Sequence, residues 1–131
     1  LMAVCYIDLD GFKPINDTHG HATGDRILIA LASRLESTAR ATDVVARLGG
    51  DEFAILCPNL HGADNIDHFC SRLVTAIADI PDEICPGCGL GASIGIAVYP
   101  DGGYDLNQLL GTADRAMYAA KKAGGNRWQI G

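Results

Sequence analysis

Apolar positions along this chain follow two rhythms, short continuous runs and stripes at helical spacing, and together these predict most of its elements. Met2-Ala3-Val4-Cys5-Tyr6-Ile7 is an unbroken run of strand length and predicts a buried first strand. Ile27, Leu28, Leu31 and Leu35 recur at helical spacing and predict a helix over Arg26–Thr38. Val44-Val45-Ala46 and Phe53-Ala54-Ile55-Leu56 flank a Gly49-Gly50 pair. That arrangement predicts a β-hairpin over Asp43–Cys57, because glycine accepts the positive φ of a tight turn. Ile66, Phe69, Leu73 and Ile77 form one stripe and predict a helix over Ala63–Ala78. Ile80–Gly89 is rich in Gly and Pro and predicts a loop, and β-branched Leu90–Val98 a strand. Asp105 is placed to cap a helix over Leu106–Ala123 that Gly124-Gly125 ends. Trp128–Ile130 predicts a short last strand. The order β-α-β-β-α-β-α-β predicts an α+β fold: a ferredoxin-like sandwich with an antiparallel central sheet, packed helices and an appended helix and strand.

Composition narrows the function classes. The 131 residues suit one domain with a real core, and 48% are hydrophobic. A net charge of −6, from 10 basic and 16 acidic residues, argues against a binder of long nucleic acid. A local basic pocket for phosphates is compatible with it. No apolar stretch approaches a membrane span and no signal peptide is visible, so no membrane contact is expected of this domain. Of five cysteines, Cys5 and Cys57 lie in apolar runs and read as buried small hydrophobes, and Cys70 sits in a helical stretch. Cys85-Pro86-Gly87-Cys88 has the spacing of a metal or redox pair. Structural zinc would need two more ligands, and no partner pair is evident. A redox pair would sit at a helix start rather than in a Pro/Gly loop. The pair therefore reads as ordinary loop cysteines, with a disulfide as the alternative.

Two acidic clusters carry the candidate chemistry. Asp8-Leu9-Asp10 ends the first apolar run, and the alternation of a strand puts both carboxylates on one side. Such carboxylates repel each other unless a cation neutralises them, and Mg²⁺ is a hard cation commonly held by one or two carboxylates plus substrate phosphates. The second cluster, Asp51-Glu52, follows the Gly-Gly turn. Adjacent strand residues point to opposite faces, so only one of the two faces a given ligand from there. Side-chain-free Gly49-Gly50 lets a ligand approach the backbone closely. Bringing Asp8 beside Asp51 would build a metal–nucleotide site from two strands.

Gly49-Gly50-Asp51-Glu52-Phe53, Asp8-Leu9-Asp10-Gly11-Phe12-Lys13-Pro14-Ile15-Asn16-Asp17, Gly20-His21-Ala22-Thr23-Gly24-Asp25, Ser93-Ile94-Gly95-Ile96-Ala97 and Ala113-Asp114-Arg115-Ala116-Met117-Tyr118-Ala119-Ala120-Lys121 together resemble the GGDEF domain, the diguanylate cyclase family, in its order and spacing. The resemblance runs essentially end to end. It implies a fold related to the palm of nucleotidyl cyclases, and condensation of two GTP into cyclic di-GMP plus two pyrophosphates by two facing domains, a homodimer. It implies Mg²⁺ (or Mn²⁺) on Asp8, Asp51 and the Leu9 carbonyl, with Glu52 and Asp10 as further catalytic carboxylates. It implies that substrate contacts come from Gly11, Phe12, Lys13, Asn16, His21, Asp25, Gly49, Gly50 and Lys121. Asp25 suits guanine physically: one carboxylate accepts from both N1–H and the 2-amino group, a pair adenine lacks. An acid near a helix start is the plainer reading of Asp25, and both roles can hold.

The same resemblance marks Arg40-Ala41-Thr42-Asp43 as an inhibitory RxxD site for product, with Arg72 as a second arginine. An extended strand advances about 3.3 Å per residue, which puts Arg40 roughly 20 Å from Gly49-Gly50. Alone, RxxD is an ordinary helix-end arginine and a strand-leading aspartate. Three departures stand out, one of them Gly11 in place of a bulkier residue common at that position. Gly125 occupies the place of a phosphate-binding arginine, with Lys122 or Arg127 as conceivable substitutes, and the family's helical lead-in is absent before residue 2. A domain excised from a longer signalling chain with an N-terminal sensory domain, working in the cytoplasm, is the expectation. The alternative to an active cyclase is a catalytically weak domain that binds GTP or cyclic di-GMP.

Overall fold

A computed structural model describes residues 2–60, 62–80 and 84–131, with residues 62–65 described by backbone alone. The central strand is β1 (Ala3–Asp10). It is followed by α1 (Phe12–His19), α2 (His21–Thr38), β2 (Val44–Gly49), β3 (Glu52–Cys57), α3 (Gly62–Ala78), β4 (Gly91–Val98), α4 (Leu106–Lys122) and β5 (Arg127–Ile130). The sheet order is β2-β3-β1-β4-β5. β1 pairs antiparallel with β3 and β4, and β2 antiparallel with β3, as expected. The β4–β5 pair is parallel, so the sheet is mixed. The reason is topological: α4 carries the chain back along the sheet, and a helical crossover returns a strand in the same direction.

Alternation along β1 sorts its side chains. Cys5, Ile7 and Leu9 are buried and join the main core with Leu31, Leu35, Phe69 and Leu73 of α2 and α3. Val4 points the other way, into a smaller core with Ala97, Leu109 and Ala113 under α4, and Tyr6 packs against its edge. Asp8 and Asp10 continue that second face and stay half-buried. Hence α4 seals one end of the face, and the acidic end stays open. Gly95 of β4, opposite Tyr6 in register, is what lets α4 lie so close. A Cβ there would collide with the Ala113 carbonyl oxygen and the Met117 amide nitrogen.

Three departures from the sequence expectations have local causes. The helix expected from Arg26 begins at His21, and a separate helix, α1, precedes it. α1 has eight residues and buries only Ile15, too little to leave a stripe in the sequence. Gly20, at φ 89°, breaks the chain between the two helices. β1 runs to Asp10 rather than ending at Ile7, because Asp8, Leu9 and Asp10 all pair with β4. The stretch read as loop begins helically, with Ile80 and Ile84 both helical, while Pro81–Glu83 lie outside the described residues. Asp105 caps α4 as expected, accepting from the Gln108 amide at 2.8 Å. Cys5, Cys57 and Cys70 are buried free thiols, whereas Cys85 and Cys88 are joined as a disulfide. The last result replaces the reading of that pair as ordinary loop residues.

Candidate active site

The acidic site is built by pairing. Asp8 of β1 lies opposite Glu52 of β3 and Ser93 of β4. Between β2 and β3 the turn passes through Gly49 and Gly50 at φ 148° and 51°, conformations that side chains disfavour. Arg47 holds the turn: its Nε and Nη2 both donate to the Gly50 carbonyl, at 3.0 and 2.8 Å. The Leu9 amide donates to the Asp51 carbonyl at 3.4 Å. These bonds set Asp51 against the end of β1.

The electrostatics follow from that crowding. Burial, then the charge of Asp8 and a hydrogen bond with it, push the Asp51 carboxyl above the ordinary range, against the pull of its own backbone amide and Lys121. Lys121 reaches over from α4, its Nζ 2.7 Å from Asp8 Oδ2. Burial alone would lower the Lys121 ammonium, but the bond and charge of Asp8, joined by Asp10 and Asp51, outweigh it and raise it. Asp8 Oδ1 is buried and has no hydrogen-bond partner among the described residues. A buried carboxylate oxygen without a donor is costly, and a cation is its natural complement. An all-oxygen donor set of this kind fits Mg²⁺ or Mn²⁺.

The other two carboxylates are engaged. Glu52 Oε2 accepts from the Tyr6 hydroxyl at 2.8 Å. Burial, that bond and the Glu52 charge push the Tyr6 phenol up to about 12. Asp10 Oδ1 accepts from Ser93 Oγ and Oδ2 from the Asn126 amide, both at 2.7 Å. Asp10 thus ties β1 to β4 and to the turn entering β5. Gly125 in that turn has φ 72°, and a Cβ on it would press into the Asp10 carboxylate. A long cationic side chain does not fit there without moving Asp10. The two substitutes are occupied elsewhere: Lys122 Nζ sits 4.8 Å from the Tyr118 ring centre, and Arg127 Nε donates to the Gly125 carbonyl at 3.0 Å.

On the nucleotide side, α1 and α2 pack through glycine. A Cβ at Gly24 would strike Asn16 Oδ1, so Gly24 is the floor on which the Asn16 amide rests. Asn16 Nδ2 meets His21 Nδ1 at 2.9 Å, and Asn16 Oδ1 is buried without a partner among the described residues. Gly11 starts α1 in the left-handed region at φ 73°, beside Phe12. Lys13 is exposed and has no ion pair among the described residues. Asp25 is exposed and lines a cavity of about 480 Å³ with Leu28, Ile29, Val45, Arg47 and Phe53. Asn16 is not among the lining residues of that cavity, so the two expected base contacts stand near one another in sequence without sharing it.

At the far end of β2, Asp43 Oδ2 accepts from the Arg40 amide at 2.8 Å, closing a local turn, and Arg40 Nη1 donates to the Asn59 carbonyl at 3.1 Å. Arg72 lies over the Phe69 ring on α3 and lines a cavity of about 430 Å³ with His68, Thr75 and Asp79. Arg40 does not line it. Ser93, Tyr6, Asn126 and Arg47 were not singled out from the sequence as site residues. Ser93 did carry a signal: it is the single buried polar side chain among the described residues, inside an otherwise apolar strand.

With this geometry in place, comparison with known proteins is direct. The family model described as diguanylate cyclase, GGDEF domain, matches residues 1–127. The chain belongs to the GGDEF domain family. The bifunctional diguanylate cyclase/cyclic di-GMP phosphodiesterase MucR of Pseudomonas aeruginosa is 44% identical over 124 residues, covering 95% of this chain and 18% of MucR. The chain therefore spans under a fifth of that relative's length. The GGDEF domain of YfiN (TpbB) from Pseudomonas aeruginosa superposes with a TM-score of 0.89 at 39% identity, covering 98% of this chain and 81% of that one. The GGDEF domain of DgcB from Caulobacter crescentus, solved in complex with c-di-GMP, gives a TM-score of 0.76 at 28% identity, covering 98% of this chain and 77% of that one. Among the described residues no helix is long and apolar enough to cross a membrane.

Proposed function

We propose that this domain is a diguanylate cyclase that condenses two GTP into cyclic di-GMP and two pyrophosphates. The observation that carries the reading is the Asp8–Asp51 pair, with its unpartnered buried oxygen, at the open end of β1 beside a bare Gly-Gly turn. A Mg²⁺ or Mn²⁺ ion held by Asp8, Asp51 and the Leu9 carbonyl would neutralise triphosphate charge there. Lys121, already drawn to the acidic cluster, supplies a cation for phosphate oxygens, joined by exposed Lys13 and the amides around Gly11-Phe12. Asp25 accepts from N1–H and the 2-amino group of guanine, and Asn16, braced by His21, serves the rest of that edge.

Each 3′-hydroxyl attacks the α-phosphate of the opposite GTP, forming one P–O bond as the bond to pyrophosphate breaks and the hydroxyl proton passes to solvent. The arrangement needs two domains face to face, a homodimer, each bringing one GTP. Glu52 and Asp10 act from the rim: Tyr6 orients the first, while Ser93 and Asn126 hold the second. Arg40, Asp43 and Arg72 form the surface on which product restrains domain approach. The parent chain carries a sensory domain and works in the cytoplasm, where GTP is available.

Incubation of the domain with GTP and Mg²⁺, followed by chromatography, tests the reading. Cyclic di-GMP and pyrophosphate in a 1:2 ratio support it. One observation favours a second reading, a slow or binding-only domain: Gly125, where a Cβ would meet the Asp10 carboxylate, offers phosphate no side chain. In that case GTP binds without turnover.

A further inference from the structure

The fold brings a third metal-ligating side chain to the Cys85-x-x-Cys88 pair. His19, the last residue of α1, lies 66 positions upstream of Cys85, yet one ligand atom from each of His19, Cys85 and Cys88 falls within 4.8 Å of the other two. Cys85 is buried, Cys88 half-buried and His19 exposed, so the cluster sits at the surface with its thiol side in the core edge. A cavity of about 320 Å³ borders His19 and Cys88 and is lined also by Gly11, Pro14, Ile15 and Thr18. It has room for a water or small ligand as a fourth donor. Among the described residues this is the one group of three His, Cys, Asp or Glu side chains whose ligand atoms all lie that close, and its donors are sulfur and nitrogen where the acidic site offers oxygen.

We propose that, with the Cys85–Cys88 pair reduced, His19, Cys85 and Cys88 bind a thiophilic divalent cation, Zn²⁺ by preference. Two thiolates and an imidazole are a favoured zinc set, and a Cys-x-x-Cys spacing is half of many zinc sites. In the structure the two sulfurs are joined to each other, so the pair has two states. A phosphine breaks the S–S bond, yielding two thiols and phosphine oxide, with water supplying the oxygen. The metal then displaces both thiol protons to solvent, and two thiolates with Zn²⁺ and neutral His19 leave the site uncharged. The bound cation staples the C-terminus of α1 to the loop before β4. Since α1 also carries Lys13 and Asn16, loading the site stiffens the guanine side of the proposed GTP pocket, a consequence that rests on that functional reading.

Cobalt is the probe, because thiolate-to-cobalt charge transfer reports sulfur ligation directly. The phosphine-reduced domain is titrated with Co²⁺ in excess Mg²⁺, which keeps the acidic site from contributing. The expected result is a near-ultraviolet charge-transfer band that saturates at one equivalent and is erased by Zn²⁺. Cys88→Ser should remove the band, and His19→Ala, at an exposed position, should weaken binding about tenfold or more. Buried Cys5, Cys57 and Cys70 remain in both variants and serve as the internal control. Zn²⁺ should also raise the thermal midpoint of the reduced wild type and not that of Cys88→Ser. No band, or a band unchanged in Cys88→Ser, overturns the proposal. Neither readout involves GTP, so an inactive cyclase and an absent metal site give different results.

Discussion

Replacing Asp51 by Asn should make the domain more stable and far less active at once. The side chain keeps its shape and loses its charge. In the folded state Asp51 is crowded against Asp8 and its carboxyl is raised, burial and Asp8 being the causes. The sign is definite. A carboxyl raised on folding contributes its stability below the unfolded value and loses it as pH rises through the folded one, so at neutral pH the ionised Asp51 is a burden. Two unit charges about 4 Å apart repel by ~4 kcal/mol at an effective dielectric of 20. Asp51 is only partly buried and Lys121 already neutralises part of Asp8, so screening reduces this to ~1 kcal/mol. In metal-free buffer the Asp51→Asn thermal midpoint should rise by about 4 °C. Mg²⁺ should raise the wild-type midpoint and leave the variant nearly unmoved. Cyclase activity with GTP should fall by about 100-fold or more, the scale of losing one preorganised electrostatic contact to a transition state. Calorimetry with and without Mg²⁺, alongside product chromatography, measures both effects. Wild-type activity, or a midpoint that falls without metal, would refute the reasoning.

Four further outcomes follow from the same geometry. Asp25→Ser removes the paired acceptor from the mouth of the 480 Å³ cavity and should relax the preference for GTP over ATP in a competition assay; an unchanged preference removes Asp25 as selector. Arg40→Ala loses an exposed bond to the Asn59 carbonyl, so stability should change by under about 0.5 kcal/mol, while cyclic di-GMP affinity by calorimetry falls and initial turnover persists. Gly95→Ala forces α4 off β4 and should cost about 1–3 kcal/mol in denaturant unfolding, with activity falling too because Lys121 lies one turn beyond Met117; a neutral result would mean that α4 slides freely. Above pH 10 the fold should weaken progressively, because the unfolded Tyr6 phenol ionises near 10 and the folded one only near 12; Tyr6→Phe should flatten that part of the stability profile.

How much of this was legible in the chain depends on the range of the interaction. Local rhythm was enough for β1, the Gly49-Gly50 hairpin, the capped start of α4 and the α+β class, because each reflects a period or a turn within a few residues. The pairing of Asp8 with Asp51 was legible too, through motifs in a family whose order of blocks is matched along the chain. Helix α1 was not, since one buried residue in eight leaves no stripe. Nor was the parallel edge strand, whose direction is a property of the crossover and not of the residues Arg127–Ile130.

Residue types and their local spacing thus determined most of the elements, the two acidic clusters and the family. Only the tertiary structure decided which distant groups meet. It set Lys121 on Asp8 across 113 positions, closed Asp10 between Ser93 and Asn126, and filled with the Asp10 carboxylate the space a side chain at position 125 would need. It also carried His19 to Cys85 and Cys88. The physical reason is common to all of them: hydrogen bonds, ion pairs and metal ligation act over a few ångströms of space, and sequence spacing measures distance only within a single helix or strand.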